Sequence, residues 1–242
     1  MSDRQAGIKS VTESTTGTGD VDAVCFDLDG TLCRYTQRSE DVLAAAFDRT
    51  DVDPLWTVDD YYDRYRNYLE DSEAIADLRR RCFGDLAVET GHDREAGYAV
   101  ADAYAEVRDQ EAVELLPGAR NIVETLATDY RLGLITNGMP DMQRTKLEAT
   151  GLDGAFETVV YAGHDTAAKP ATEPFETALE ALGATPDRAV YIGNSVSADV
   201  AGAEAAGLRS VWIPDGDGST AAPDPEPTYR LEGLADLTTP PW

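Results

Sequence analysis

A parallel α/β sheet with helices on both faces, interrupted by an all-helical insertion, is the fold class that this 242-residue chain predicts. Three observations point to it. Val21–Phe26 is a short apolar run without alternation, as a strand buried on both faces requires. From Pro117-Gly118 onward, short apolar runs alternate with segments of helical period, the pattern of βαβ units. Between these regions, from about Arg34 to Glu114, convincing buried strands are missing and helical spacings dominate. The expected organisation is a Rossmann-like core made of residues 21–33 and 115–242, with residues 34–114 inserted as a separate helical unit.

Residues 1–20 are rich in Ser, Thr, Gly and Asp without periodicity and read as a disordered tail. The first strand breaks into Asp27-Leu28-Asp29-Gly30-Thr31-Leu32, where Gly30 permits a tight turn. Within the insertion, Val42, Ala45, Ala46 and Arg49 recur at helical spacing, and Tyr61, Tyr65 and Tyr68 form a stripe expected to pack helices. Ala119, Ile122, Val123 and Leu126 make a helix stripe before the strand Arg131–Thr136. Pro140 opens a helix that ends at Gly151. A strand at Thr158–Tyr161, a helix from Pro174 to Leu182 and a strand at Arg188–Ile192 follow. A small-residue helix at Ala198–Ala206 and a strand at Ser210–Ile213 complete the alternation. Asp215–Pro227 reads as an exposed loop, and Tyr229–Leu237 as an edge strand with a short helical turn.

Composition narrows the class of function. With 42% hydrophobic residues a sizeable core is expected, and no run of 18 apolar residues suggests a membrane span. The polar first 20 residues lack the apolar stretch of a secretory signal, so a cytoplasmic enzyme is the expectation. Cys25, Cys33 and Cys82 are too few and too scattered for a disulfide framework or a zinc site. The formal net charge is -26, and lysine occurs only at Lys9, Lys146 and Lys169. Such a surface repels polyanions, which argues against nucleic acid and anionic membranes as partners.

Ligands of open parallel sheets bind beyond the carboxyl ends of the strands, and the polar residues of interest fall there repeatedly. Asp27 and Asp29 end the first strand, Thr136 and Asn137 the second, and Asn194 the strand Arg188–Ile192. Lys169 lies in the loop after the third strand, and Asp199 near the start of the helix after Asn194. Two carboxylates two residues apart can divide the work on a phosphate ester. One attacks phosphorus, while the other protonates the leaving oxygen and later deprotonates water. The phosphoryl charge calls for a hard cation on oxygen ligands and for a lysine.

These residues also carry a family resemblance. Asp27-Leu28-Asp29-Gly30-Thr31-Leu32 after an apolar strand resembles the opening motif of the haloacid dehalogenase-like superfamily. Leu134-Ile135-Thr136-Asn137-Gly138 resembles its second motif, Lys169-Pro170 its third, and Ile192-Gly193-Asn194-Ser195 through Asp199 its fourth, in the family's order. The resemblance covers about residues 21–213 and implies that the helical insertion is a cap domain. It implies Asp27 as nucleophile and metal ligand, and Asp29 as acid/base with its carbonyl on the metal. Thr136, the Asn137 amide and Lys169 would hold phosphate, and Asn194 and Asp199 would complete a Mg2+ site. The family commonly has aspartate where this chain has Asn194, so which of Asn194 and Asp199 touches the metal stays open.

The implied activity is Mg2+-dependent hydrolysis of a small phosphate ester through an aspartyl-phosphate. A 2-haloacid dehalogenase, a phosphomutase and a non-catalytic phosphate-binding module are the alternatives. Asp29 favours phosphoryl chemistry, because a departing halide needs no proton. Arg64 and Arg66 are candidates for a second anionic group but more readily face solvent, and Arg79-Arg80-Arg81 reads as a surface run. His92 and His164 match no motif, and neither substrate nor oligomeric state is legible.

Scarce lysine and a charge of -26 suggest a halophilic host. Self-repulsion weakens when the Debye length falls from about 10 Å at 0.1 M salt to about 3 Å at 1 M. The expected outcome is a Tm that rises between low and molar salt in a thermal scan; a flat profile would show that the acidity is not adapted to salt.

Overall fold

The computed structural model describes residues 21–69, 71–214 and 223–242. The expected N-terminal tail and most of the Asp215–Pro227 loop lie outside the described residues. Strand β1 (Ala23–Phe26) is followed by β2 (Cys33–Tyr35), then by helices α1 (Ser39–Asp48), α2 (Val58–Tyr65), α3 (Ile75–Glu89) and α4 (Arg94–Val107). Strand β3 (Val113–Leu115) leads back to α5 (Ala119–Leu126), β4 (Arg131–Thr136), α6 (Pro140–Thr150), β5 (Thr158–Tyr161) and α7 (Glu173–Leu182). The chain ends with β6 (Ala189–Gly193), α8 (Ala201–Ala205), β7 (Arg209–Trp212) and β8 (Tyr229–Arg230).

Six strands form one parallel sheet in the order β5-β4-β1-β6-β7-β8. Alternate residues of β1 face opposite layers, and both layers are apolar. Val24 and Phe26 pack with Ile122 and Leu126 of α5 and Leu147 of α6. Ala23 and Cys25 pack with Phe175, Ala178 and Leu182 of α7. A strand with a covered face on each side has no polar position to alternate with, which is why its sequence is continuously apolar. No helix among the described residues is long and apolar enough to cross a membrane.

The insertion builds a second core, with Phe47, Trp56, Tyr61, Phe83 and Tyr104 in edge-to-face and tilted ring contacts and Met139 from the start of α6 packed into it. Two features depart from the sequence expectation. The ends of the insertion are not helical: β2 and β3 pair antiparallel, with Cys33 opposite Leu115, and Arg34 meets Glu114 across the ribbon at 2.7 Å. Three-residue strands whose partner lies some 80 positions away leave no periodic trace. Nor does the tyrosine stripe stay on one helix: α2 stops at Tyr65, and a 3₁₀ turn, Arg66–Tyr68, carries Tyr68 to the Asp85 carboxylate at 2.6 Å.

Candidate active site

Sheet order brings the candidate residues together. β1 lies between β4 and β6, so the loops after these three strands open side by side. Asp27 follows β1 directly and is 6% exposed; its N–H donates to Ile192 O at 2.9 Å, which ties the end of β1 to β6. The turn beyond it uses Gly30 at φ 79, and Thr31 points back, its hydroxyl 3.2 Å from Asp27 Oδ2 and 3.3 Å from Asn194 Oδ1.

Lys169, 2% exposed, is the hub. Its Nζ lies 2.9 Å from Asp27 Oδ1, 2.7 Å from Asp199 Oδ1, 2.7 Å from Tyr191 Oη and 2.9 Å from Ile135 O. Its backbone is fixed as firmly: Lys169 N–H donates to Asn137 Oδ1 at 2.9 Å, and Asn137 Nδ2 donates to Lys169 O at 3.0 Å. The Asn137 side chain is therefore committed to the lysine loop, and only its main-chain N–H is available to a phosphate. Thr136 Oγ1 accepts from Gly138 N–H and from Gln143 Nε2, so a hydroxyl proton is what it has to offer a ligand.

Asp199 is buried and both its oxygens are engaged, Oδ1 by Lys169 and Tyr191, Oδ2 by Ser195 N–H at 2.9 Å. It sits in a single π-helical turn, Val196–Val200, that precedes α8, where the sequence suggested a plain helix from Ala198. Such turns recur at functional sites because they re-aim one side chain. The carboxyl lies against Gly193, where any Cβ would sit 2.5 Å from Asp199 Cγ, so a larger residue is excluded there.

The Asp27 carboxyl is pushed up to about 7 in all: burial raises it most, the Lys169 ammonium pulls it down and the Asp199 charge raises it. For Lys169, burial alone would lower the ammonium, but the charges of Asp199 and Asp27 outweigh it and the net direction is up. Burial also raises the Tyr191 hydroxyl well above its ordinary value, with Asp199 adding to the effect, so it stays a neutral donor beside Lys169.

Asp29 points into the same cavity from the other side, held by residues that sequence reasoning missed. Lys146 Nζ lies 2.5 Å from Asp29 Oδ1, and Gln143 Nε2 lies 2.7 Å from Oδ2. Lys146 is 1% exposed and Gln143 fully buried, on the inner face of α6 with Leu147 and Thr150. Two signals were present: the 143, 146, 147, 150 spacing of a buried helix face, and the rarity of lysine, which applies to Lys146 as much as to Lys169.

The cavity, about 410 Å³, runs from Asp27, Lys169 and Asn194 to a wall built from the insertion. Arg79 corrects the surface-run expectation: it is 4% exposed and lines the cavity with Tyr61, Tyr104 and Arg108. The reason lies in α3, whose buried positions Ile75, Leu78, Cys82, Phe83 and Leu86 include 79 in their period, whereas Arg80 turns out to Asp102 and Arg81 to Asp71. Arg64 pairs with Glu89 outside the cavity and Arg66 lines it; Tyr61 and Tyr65 line it as well as packing helices. His92 is exposed, and His164 pairs with Asp165 away from the cavity.

Comparison with known proteins identifies the family. Residues 21–207 match the model of the haloacid dehalogenase-like hydrolases. Phosphoserine phosphatase of Thermus thermophilus is 35% identical over 163 residues, which are 66% of this chain and 64% of that one. N-acylneuraminate-9-phosphatase of Rattus norvegicus is 29% identical over 245 residues, covering 91% of this chain and 94% of that one. The crystal structure of a 2-haloacid dehalogenase from Pseudomonas syringae superposes with a TM-score of 0.61 at 26% identity, covering 90% and 96% of the two chains. With its parallel sheet, its four motifs converging on one cavity and a family match over most of its length, the chain belongs to the haloacid dehalogenase-like hydrolase family.

Proposed function

We propose that this protein is a Mg2+-dependent phosphomonoester hydrolase that works through an aspartyl-phosphate on Asp27. The observation that supports it most is the pairing of two differently held carboxylates on one cavity: Asp27, buried against Lys169, and Asp29, whose side chain is 43% exposed and braced by Lys146 and Gln143. The relatives named above as phosphatases support the same reading.

The residues divide the reaction as follows. Thr136 Oγ1–H and the main-chain N–H of Asn137 donate to the phosphoryl oxygens, and the Lys169 ammonium, whose protons point at protein acceptors, attracts them by its charge. A carboxylate oxygen of Asp27 attacks phosphorus as the ester P–O bond breaks, and the proton of the Asp29 carboxyl passes to the departing oxygen. Asp29 then takes a proton from water, whose oxygen attacks phosphorus and releases phosphate and a free Asp27. Lys169 also keeps Asp27 in place, sharing its charge with Asp199, and its ammonium favours the ionised carboxylate that attacks, against the burial that opposes it.

The donors beside Asp27 suit a hard cation. Among the described residues no three His, Cys, Asp or Glu side chains form a metal cluster. What lies beside Asp27 instead is oxygen: Asn194 Oδ1 is linked to Asp27 Oδ2 through the Thr31 hydroxyl, and the Asp29 carbonyl would add a further oxygen ligand from the same loop. Few protein oxygens completed by water is the pattern of Mg2+ rather than of zinc or calcium. When bound, Mg2+ would neutralise phosphoryl charge and lower the Asp27 carboxyl from its buried value. Asp199 is held by Lys169, Tyr191 and Ser195 N–H, which favours Asn194 over Asp199 as the direct ligand in this reading.

A dehalogenase shares the aspartate nucleophile, but halide leaves without a proton and would give Asp29, Lys146 and Gln143 nothing to do. The helices of residues 34–114 we assign as a cap that closes the leaving-group side of the cavity.

Turnover of p-nitrophenyl phosphate and a panel of phosphorylated metabolites with Mg2+ in high salt tests the reading. Activity lost in chelator and reduced at least about 10³-fold in Asp27→Asn is expected; halide release from a 2-haloacid without Mg2+, and no phosphatase activity, would overturn it. Asn194→Asp adds a charge at the proposed ligand and is expected to lower the Mg2+ activation constant about tenfold, whereas an unchanged constant would remove Asn194 from the ligand set.

Stability gives a further check. Between the ordinary carboxyl value and about 7, folded Asp27 holds a proton that the unfolded chain has released. Its contribution therefore favours folding at low pH and is lost as pH rises through 7. In chelator at pH 8, Asp27→Asn is expected to melt above the native chain, with the gap closing towards pH 5; a lower Tm at pH 8 would show that the pairing with Lys169 outweighs the burial.

A further inference from the structure

Two arginines on the insertion side of the cavity are buried without carboxylates. Arg79 is 4% exposed; its Nε donates to Tyr61 Oη at 3.3 Å, its Cζ lies 4.7 Å from the Tyr104 ring centroid, and its Nη atoms have no hydrogen-bond partner among the described residues. Arg108 is 5% exposed and donates to Gln37 O, Ser39 Oγ and Tyr104 Oη, while its buried Nε has no partner among the described residues. Carboxylates are not scarce in this chain, which has 46 acidic and 20 basic residues. Surface arginines find them readily, as Arg34, Arg80 and Arg94 do. A guanidinium taken out of water is costly unless an anion faces it, and here neutral tyrosines surround both groups.

Their position says where that anion comes from. Tyr35 links the arginine wall to the catalytic one: its ring centroid is 4.5 Å from Lys146 Nζ, which holds Asp29, and 4.5 Å from Arg108 Cζ. Asp29 serves the leaving oxygen, so the alcohol part of a substrate extends from Asp29 past Tyr35 towards Arg108 and Arg79. We infer that the preferred substrate carries a second anionic group, a carboxylate or a second phosphate, on its alcohol portion, and that Arg79 with Arg108 recognises it. This rests on the phosphatase reading above and specifies its substrate class. The planar fork of Arg79 suits either anion through paired N–H donors, and the tyrosine rings keep the site dry enough for the charge to discriminate.

Matched esters test this by kcat/KM: 3-phosphoglycerate against glycerol 3-phosphate for a carboxylate, and fructose 1,6-bisphosphate against fructose 6-phosphate for a second phosphate. The native enzyme is expected to prefer the doubly anionic member of at least one pair about 100-fold. Arg79→Gln should bring that ratio below about tenfold, with Arg79→Lys between; because the ratio cancels any general loss, it separates recognition from damage to the fold. A native ratio near one, or a ratio moved by neither Arg79→Gln nor Arg108→Gln, overturns the inference. If no ester is turned over, p-nitrophenyl phosphate included, the phosphatase reading fails by itself. Calorimetric binding of 3-phosphoglycerate and glycerol 3-phosphate then decides the anion site. Tighter binding of the former that Arg79→Gln abolishes supports it, and equal binding ends it.

Discussion

A single buried ammonium organises this molecule. Lys169 Nζ touches Asp27, Asp199, Tyr191 and the carbonyl of Ile135, so groups from β1, β4, β6 and the turn before α8 meet on one cation. In a chain of net charge -26, two carboxylates could not share a dry pocket without it. The triad is a poor source of stability, because desolvating three charges offsets most of their attraction. Its value is geometric: Asp27, the proposed nucleophile, is held at a fixed place by buried contacts with Lys169 and Thr31.

The sheet makes that convergence possible. Placing β1 at the centre, between β4 and β6, puts the loop bearing Asp27 within reach of both neighbouring loops, while α5, α6 and α7 cover the faces and keep water from the strands. The side chains that anchor the site are rigid for packing reasons. Gly193 lets Asp199 lie against the strand, and Asn137 locks the Lys169 backbone. On the insertion side the β2–β3 ribbon delivers Tyr35 to the cavity, so the connection between the two parts of the molecule is also one of its walls.

The core was legible because its signals are local. β1, β4 and β6 are apolar runs ended by motif residues, β5 is an apolar run whose motif lies in the following loop, and the helices between them carry stripes and helix-ending residues that a window of a dozen residues reveals. Asp27, Asp29, Thr136 and Asn194 fall at or just beyond strand ends, Lys169 in the loop after β5 and Asp199 in the turn before α8, and all of them line one cavity. What escaped depended on partners distant in sequence. Arg79 looks like its neighbours Arg80 and Arg81 unless helix phase is applied to α3, and only the fold tells that this phase faces a cavity. Lys146 and Gln143 carry no motif of their own; their importance comes from Asp29, more than a hundred positions away. The side chain of Asn137 gave no sign in the sequence of its structural task, which is to hold the backbone of Lys169.

The surface and the site obey opposite electrostatic rules, and ionic strength acts on them unequally. Outside, carboxylates repel one another and any anionic substrate over about a Debye length, roughly 10 Å at 0.1 M salt. Inside, Lys169, Lys146, Arg79 and Arg108 present cationic groups from which bulk ions are largely excluded, and buried pairs are screened far less than exposed ones. Added salt therefore removes the barrier to approach and the strain of self-repulsion while leaving the buried contacts of the cavity, those proposed to hold a phosphate, largely intact. An acidic exterior and a lysine- and arginine-lined interior are compatible where salt is abundant, since screening weakens the liability more than the recognition.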